Sequence, residues 1–132
     1  MLAYMLDTKI CIYVMKTYPP RLRERFNRLA EQLCISSITL GELHYGAEKS
    51  ARRTENLTAI EHFAARLEIL PFGPKAAAHY GQLRAELERS GTPCGPHDMQ
   101  IGGHARSEGL TVVTNNIREF GRMPGLRAEN WT

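Results

Sequence analysis

The sequence predicts an α/β domain with a mainly parallel central sheet. Three observations carry that expectation. Short apolar or β-branched runs alternate with helix-period segments along the whole chain, the pattern of strands joined by helical crossovers. The run LTVVTN, from residue 110, is β-branched and apolar and is the clearest strand. The length, 132 residues, suits one domain over 1–132 with a real core, and no repeat, linker or low-complexity stretch divides it.

The elements follow in order. An apolar run, Leu2 to Leu6, reads as the first strand, and Thr8 is the expected cap of a helix from Ile10 to Tyr18 that stops at Pro19-Pro20. In RLRERFNRLAEQ, Leu22, Phe26 and Leu29 share one helix face and Arg21, Arg25 and Arg28 another. LCISS predicts a second strand, with Ser37 capping the helix ITLGELHYGAEKS and ARRTEN a polar loop after it. Leu57, Ile60, Phe63, Ala64 and Leu67 recur at helical spacing, and EILPF is a third strand. Pro74 opens a helix whose Ala77, Tyr80, Leu83 and Leu87 point inward and which ends at Gly91. GTPCGP is a rigid turn, Asp98 begins a helix closing at Gly109, and LRAENW is a candidate last strand after LTVVTN.

The totals narrow the classes of function. A net charge of +3 does not announce a nucleic-acid binder, so any such surface must be local. Cys11, Cys34 and Cys94 are odd in number and without C-x-x-C spacing, which fits apolar thiols in a reducing cytoplasm. The first fifteen residues lack a basic start and a cleavage site and are too short to span a bilayer, so neither export nor membrane insertion is expected.

One residue is out of place in the opening MLAYMLDTKICIYVM: Asp7, a carboxylate near the end of an apolar run. Buried alone it would lose its hydration, so it needs a backbone donor, a cationic partner or a metal. In a parallel sheet the carboxyl ends of strands and the first turns of the following helices line one edge, where ligands bind. Asp7 ends the first strand, Glu42 lies in the first two turns after the second, and Asp98 starts the helix leading into LTVVTN. Each acid alone has a plainer reading: a helix cap for Asp7, a solvated surface for Glu42, a helix-dipole partner for Asp98. Together they converge on one crevice, and at ~4 Å with an effective dielectric of ~20 each like-charge pair costs about 4 kcal/mol. A divalent cation relieves that repulsion, and oxygen-only ligands select Mg²⁺ or Mn²⁺. Such an ion activates water and steadies phosphoryl charge, which implies phosphodiester hydrolysis.

At this point MLDT, ISSITLGELHYGAEKS, GTPCGPHDMQIGGHARSEGL and VVTNNIREF, in this order, resemble a PIN-domain toxin of the VapC type. The resemblance covers essentially the whole chain. It implies a three-layer α/β/α sandwich carrying a Mg²⁺- or Mn²⁺-dependent endoribonuclease site, with Asp7, Glu42 and Asp98 as the metal-binding acids. Asn116 and Glu119 stand where the family presents a further ligand and are secondary candidates. It also implies a tRNA substrate, with the initiator anticodon loop as the expected target, a homodimer, a VapB-type antitoxin whose tail covers the acidic groove, and translation arrest held off by that partner.

One departure stands out: the family's usual asparagine two residues after the first Asp is Lys9 here. Its ammonium either substitutes for the cation, weakening activity, or is carried on its long stem toward a substrate phosphate. With Arg21, Arg25, Arg28, Arg52 and Arg53 it is a candidate RNA contact. Lys9 also keeps open the alternative of a catalytically silent module that binds antitoxin or RNA. His44, His97 and His104 form no H-E-x-x-H, Tyr45, Tyr80 and Phe63 read as core or dimer interface, and no G-x-G-x-x-G follows the first strand. A strand-end nucleophile of the haloacid dehalogenase type needs a second Asp where Lys9 stands, and a receiver domain needs an early acidic pair that is missing.

Overall fold

The computed structural model of the protein describes residues 1–17 and 19–132. The expected helix end at Tyr18 falls outside the described residues.

Among these residues five strands form one sheet: β1 (Tyr4–Leu6), β2 (Leu33–Ser36), β3 (Glu68–Leu70), β4 (Thr111–Val113) and β5 (Arg127–Glu129). Their order is β3-β2-β1-β4-β5, and every pairing is parallel, so the sheet is wholly rather than mainly parallel. Parallel neighbours need crossovers, and the helices supply them. α1 (Thr8–Thr17), α2 (Pro20–Arg28) and a 3-10 turn over Ala30–Gln32 link β1 to β2, and α3 (Ser37–Glu48) and α4 (Arg53–Ala64) link β2 to β3. α5 (Pro74–Arg89) and α6 (Pro96–Ser107) return the chain to β4, and α7 (Ile117–Phe120) leads to β5.

Strand side chains alternate between two cores, as the period of two requires. Leu6, Leu33, Ile35 and Val113 join Ile10, Val14, Phe26, Leu43 and Ile60 from α1 to α4. Met5, Cys34 and Val112 join Leu83, Leu87, Met99, Ile101, Phe120 and Met123 on the other face. The result is three layers, with burial on both faces of the central strands explaining their unbroken apolar sequence. α5 and α6 lie so close that a Cβ on Gly103 would stand 2.7 Å from the Tyr80 amide nitrogen, which is why that helix carries glycine there.

Several local expectations are corrected. Asp7, not Thr8, caps α1: its Oδ1 accepts the Ile10 amide at 2.8 Å. Ser36, not Ser37, caps α3, accepting the Ile38 amide at 3.0 Å, while Ser37 Oγ accepts the Phe72 amide and ties down the end of β3. α6 begins at Pro96, so Asp98 sits in its first turn rather than starting it. The polar loop ends earlier than expected, with Arg53 already in α4, and the helix begun at Pro20 breaks at Leu29 into the 3-10 turn. On α5 the inward residue is Ala76, buried to 3 %, whereas Ala77 is exposed: with Pro74 at the first position, 76, 80, 83 and 87 share a face.

Candidate active site

The sheet changes direction at its centre: β1 leads outward to β2, and its other neighbour, β4, leads outward to β5. A crevice opens beyond the carboxyl ends of two such strands. Asp7 is the residue after β1 and Thr114 the residue after β4. The Thr114 hydroxyl donates to Asp7 Oδ2 at 2.6 Å, and the Asp7 amide donates to the Val113 carbonyl at 3.1 Å. Asp7 is fully buried, so both carboxylate oxygens carry a donor, and helix cap and site acid are the same group. Burial nevertheless dominates and pushes its carboxyl above the ordinary range, against the pull of Thr114, Ile10 and Lys9.

Asp98 comes from the first turn of α6 and Glu119 from α7. Burial, the Glu119 charge and a hydrogen bond with Glu119 push the Asp98 carboxyl up to about 7, with the Asp7 charge adding to the effect. Burial pushes Glu119 up, but the hydrogen bonds it accepts, with the nearby Lys9 charge, bring it below the ordinary value. The Gly95 amide donates to its Oε1 at 2.6 Å and Asn116 Nδ2 to its Oε2 at 3.1 Å. A side chain on Gly95 would stand 3.5 Å from Glu119 Oε1 and 3.8 Å from Asp98 Oδ2, so the turn before α6 touches both acids. Asn116 thus acts on Glu119, and its own amide is turned by Thr114 Oγ1 at 2.8 Å.

Glu42, in the second turn of α3, acts electrostatically on Asp7. Thr8 Oγ1 donates to its Oε1 at 2.6 Å, and His97 Nδ1 lies 2.6 Å from its Oε2. Lys9 is exposed and forms no ion pair among the described residues, yet its charge acts on Asp7, Asp98 and Glu119.

The arginines divide. Arg25 stacks on the Trp131 ring at 4.3 Å and pairs with Glu129 at 3.7 Å, holding the last residues to α2. Arg52 pairs with Glu55, and Arg53 with Glu48. Arg21 and Arg28 are exposed on α2. His104 is buried, bonded to Ser36 Oγ at 2.9 Å and packed edge-on against Phe72; burial lowers its pKa, which fits a neutral core residue.

Sequence reasoning missed three contributors: Thr114, Thr8 and His97. Thr114 had a readable signal, a hydroxyl at the end of the clearest strand. Thr8 reads as a helix cap from sequence, and His97 lacks the spacing of a metal motif. Among the described residues no group of three or more His, Cys, Asp and Glu side chains is already arranged to hold a metal ion. The donor set still suits a hard cation: it is all oxygen, burial and the neighbouring acids disfavour the charge on Asp98, and Mg²⁺ usually meets one or two carboxylates while keeping its waters.

A parallel α/β/α sandwich with acids gathered at its central crevice defines a class, and comparison with known proteins bears it out. The model of the PIN domain family matches residues 4–126, and the chain belongs to that family. Within it, the chain is 57% identical over 131 residues to the tRNA(fMet)-specific endonuclease VapC of Salmonella typhimurium, covering 99% of each chain. It is 53% identical to the ribonuclease VapC2 of Haemophilus influenzae, again over 99% of each. The fold superimposes on the DNA-bound VapBC structure from Salmonella typhimurium with a TM-score of 0.98, over 100% of both chains at 57% identity. It is a nuclease of the VapC type.

Proposed function

We propose that the protein is a Mg²⁺- or Mn²⁺-dependent endoribonuclease that cuts tRNA, with the initiator anticodon loop as its target, and arrests translation. The observation that carries this reading is the arrangement of acids at the crevice, where Asp7 is buried within electrostatic reach of Glu42 and Asp98, and burial and the Glu119 charge push Asp98 up to about 7. Relatives named for tRNA(fMet) supply the substrate. Solved relatives in VapBC complexes support a VapB-type antitoxin as partner, and we assign a homodimer on the family's precedent. Such a substrate lies in the cytoplasm, where we place the enzyme; among the described residues no helix is long and apolar enough to cross a membrane.

Asp7, Glu42 and Asp98 would hold the ion, with Glu119 as a further candidate ligand. When bound it supplies a polarised water and charge neutralisation at the phosphoryl oxygens. The chain's own work is positional. Thr114 and the Ile10 amide fix Asp7, Gly95 and Asn116 fix Glu119, and Thr8 and His97 fix Glu42. Loading would displace any proton held by the raised Asp98 carboxyl.

The test incubates the purified protein with initiator tRNA and Mg²⁺ or Mn²⁺, beside EDTA and Asp7→Ala controls. Cleavage in the metal tubes alone is expected. No cleavage with either metal, or undiminished cleavage in the controls, overturns the proposal.

The Lys9 charge, which acts on Asp7, Asp98 and Glu119, tunes this site. A unit charge several ångströms from a divalent ion, in a solvent-like dielectric, repels it by ~1 kcal/mol. Lys9→Asn is therefore expected to tighten Mn²⁺ binding about fivefold in calorimetry and to raise the cleavage rate at limiting metal. Unchanged affinity would show that solvent screens the ammonium completely. A silent binding module, the alternative left open by Lys9, would show neither Mn²⁺ binding nor cleavage in either form.

A further inference from the structure

We infer that His97 is a positioning residue of the nuclease site, orienting the Glu42 carboxylate toward the crevice by a hydrogen bond across helices α6 and α3. The inference rests on the metal-dependent nuclease reading.

Glu42 has two oxygens and each is engaged from a different element. Oε1 takes the Thr8 hydroxyl from α1, and Oε2 meets His97 Nδ1 from α6, both at 2.6 Å. A glutamate has three rotatable side-chain bonds, so a carboxylate at a crevice is directed only if its neighbours hold it. Thr8 alone fixes one oxygen and leaves the group free to pivot about that bond. His97 removes the pivot. It can do so because it is the residue before Asp98, in the first turn of α6, and the same turn that delivers Asp98 to the crevice delivers the imidazole to Glu42.

Exposure separates this contact from a packing role. The His97 side chain is 62% exposed, while Glu42 keeps 25%. A ring so open buries little apolar surface and holds no core together, so its main contact is with the acid. The neutral ring is sufficient: with Nδ1 carrying the proton it donates to Oε2, and Nε2 is left to solvent. Groups that hold a metal-binding carboxylate from behind typically change affinity or rate by about 10- to 100-fold when removed.

The experiment uses the full chain with His97→Phe, which keeps a flat ring, and His97→Asn, which keeps a short donor. In the metal-free wild type, nitrogen-15 spectra of the imidazole should show a protonated Nδ1 that disappears from that state in Glu42→Gln. His97→Phe should bind Mn²⁺ about tenfold more weakly by calorimetry and lower kcat on tRNA with KM unchanged. His97→Asn should recover most of both, with thermal melting confirming that all variants fold. Equal Mn²⁺ affinity in wild type and His97→Phe overturns the role of His97 while leaving the nuclease reading intact. Failure of His97→Asn to recover also overturns it, since the ring and not its donor would then matter. If the wild type itself takes up no Mn²⁺, the nuclease reading falls and this inference falls with it.

Discussion

Replacing Asp7 with asparagine is expected to lower tRNA cleavage by about 10³-fold or more while leaving the protein at least as stable. The activity loss follows from charge: stabilising a phosphoryl transition state through a bound cation is worth several kcal/mol, and each ~1.4 kcal/mol is tenfold in rate. The stability follows from burial. Asn keeps an oxygen to accept the Ile10 amide and fits beside the Thr114 hydroxyl, but it carries no charge to desolvate. Because burial raises the Asp7 pKa, its ionised form is disfavoured in the folded state, and that cost is present at neutral pH. Cleavage assays and thermal melts on the same preparation check both halves. A variant that melts lower than wild type would show that the cap depends on the charge.

The second large effect is a pH dependence of the metal-free protein. The Asp98 pKa rises from an ordinary 3.8 to about 7 on folding, so between these values the folded chain holds more protons than the unfolded one. Stability contributed by Asp98 is therefore fullest below about 4 and is lost as pH rises toward 7. Glu119, whose pKa is lowered, works in the opposite sense, and the partial exposure of both groups screens the effect further. The net loss is about 2 kcal/mol, a melting shift of several degrees for a chain of this size. Saturating Mn²⁺ at pH 7.5 should restore it, since a ligand at 100 times its Kd adds about 2.7 kcal/mol. Calorimetric scans in EDTA from pH 4.5 to 8, with Asp98→Asn as the reference, isolate this contribution. Identical slopes in wild type and variant would contradict it.

The parts of this site legible in sequence were those that violate a local rule. Asp7 was visible because a carboxylate ends an apolar strand, and Glu42 and Asp98 because the strand–helix alternation carries them to the same edge. What escaped was decided by tertiary contact. Thr8 and Ser37 look like caps because they follow a strand, yet the capping side chain belongs in each case to the residue before, which ends or follows the strand itself. Thr8 was thereby freed to reach Glu42, 34 residues away. The one-residue error at Ala77 came from the helix phase set by Pro74, which spacing alone did not resolve. Glu119, a secondary candidate ligand in the sequence, is tied to the turn before α6 by the Gly95 amide. Arg25 read as a phosphate contact until Trp131, near the other end of the chain, was seen to lie beneath it.

The bond from Thr114 to Asp7 joins residues 107 positions apart. Because β4 follows every intervening crossover in the chain, Asp7 is made at the start of synthesis but the hydroxyl that fixes its second oxygen comes only near the end. The proposed site is thus complete only once nearly all of the chain has been made. Loss of the last fifth of the chain should remove both the Thr114 and the Glu119 contacts and with them the proposed ion site.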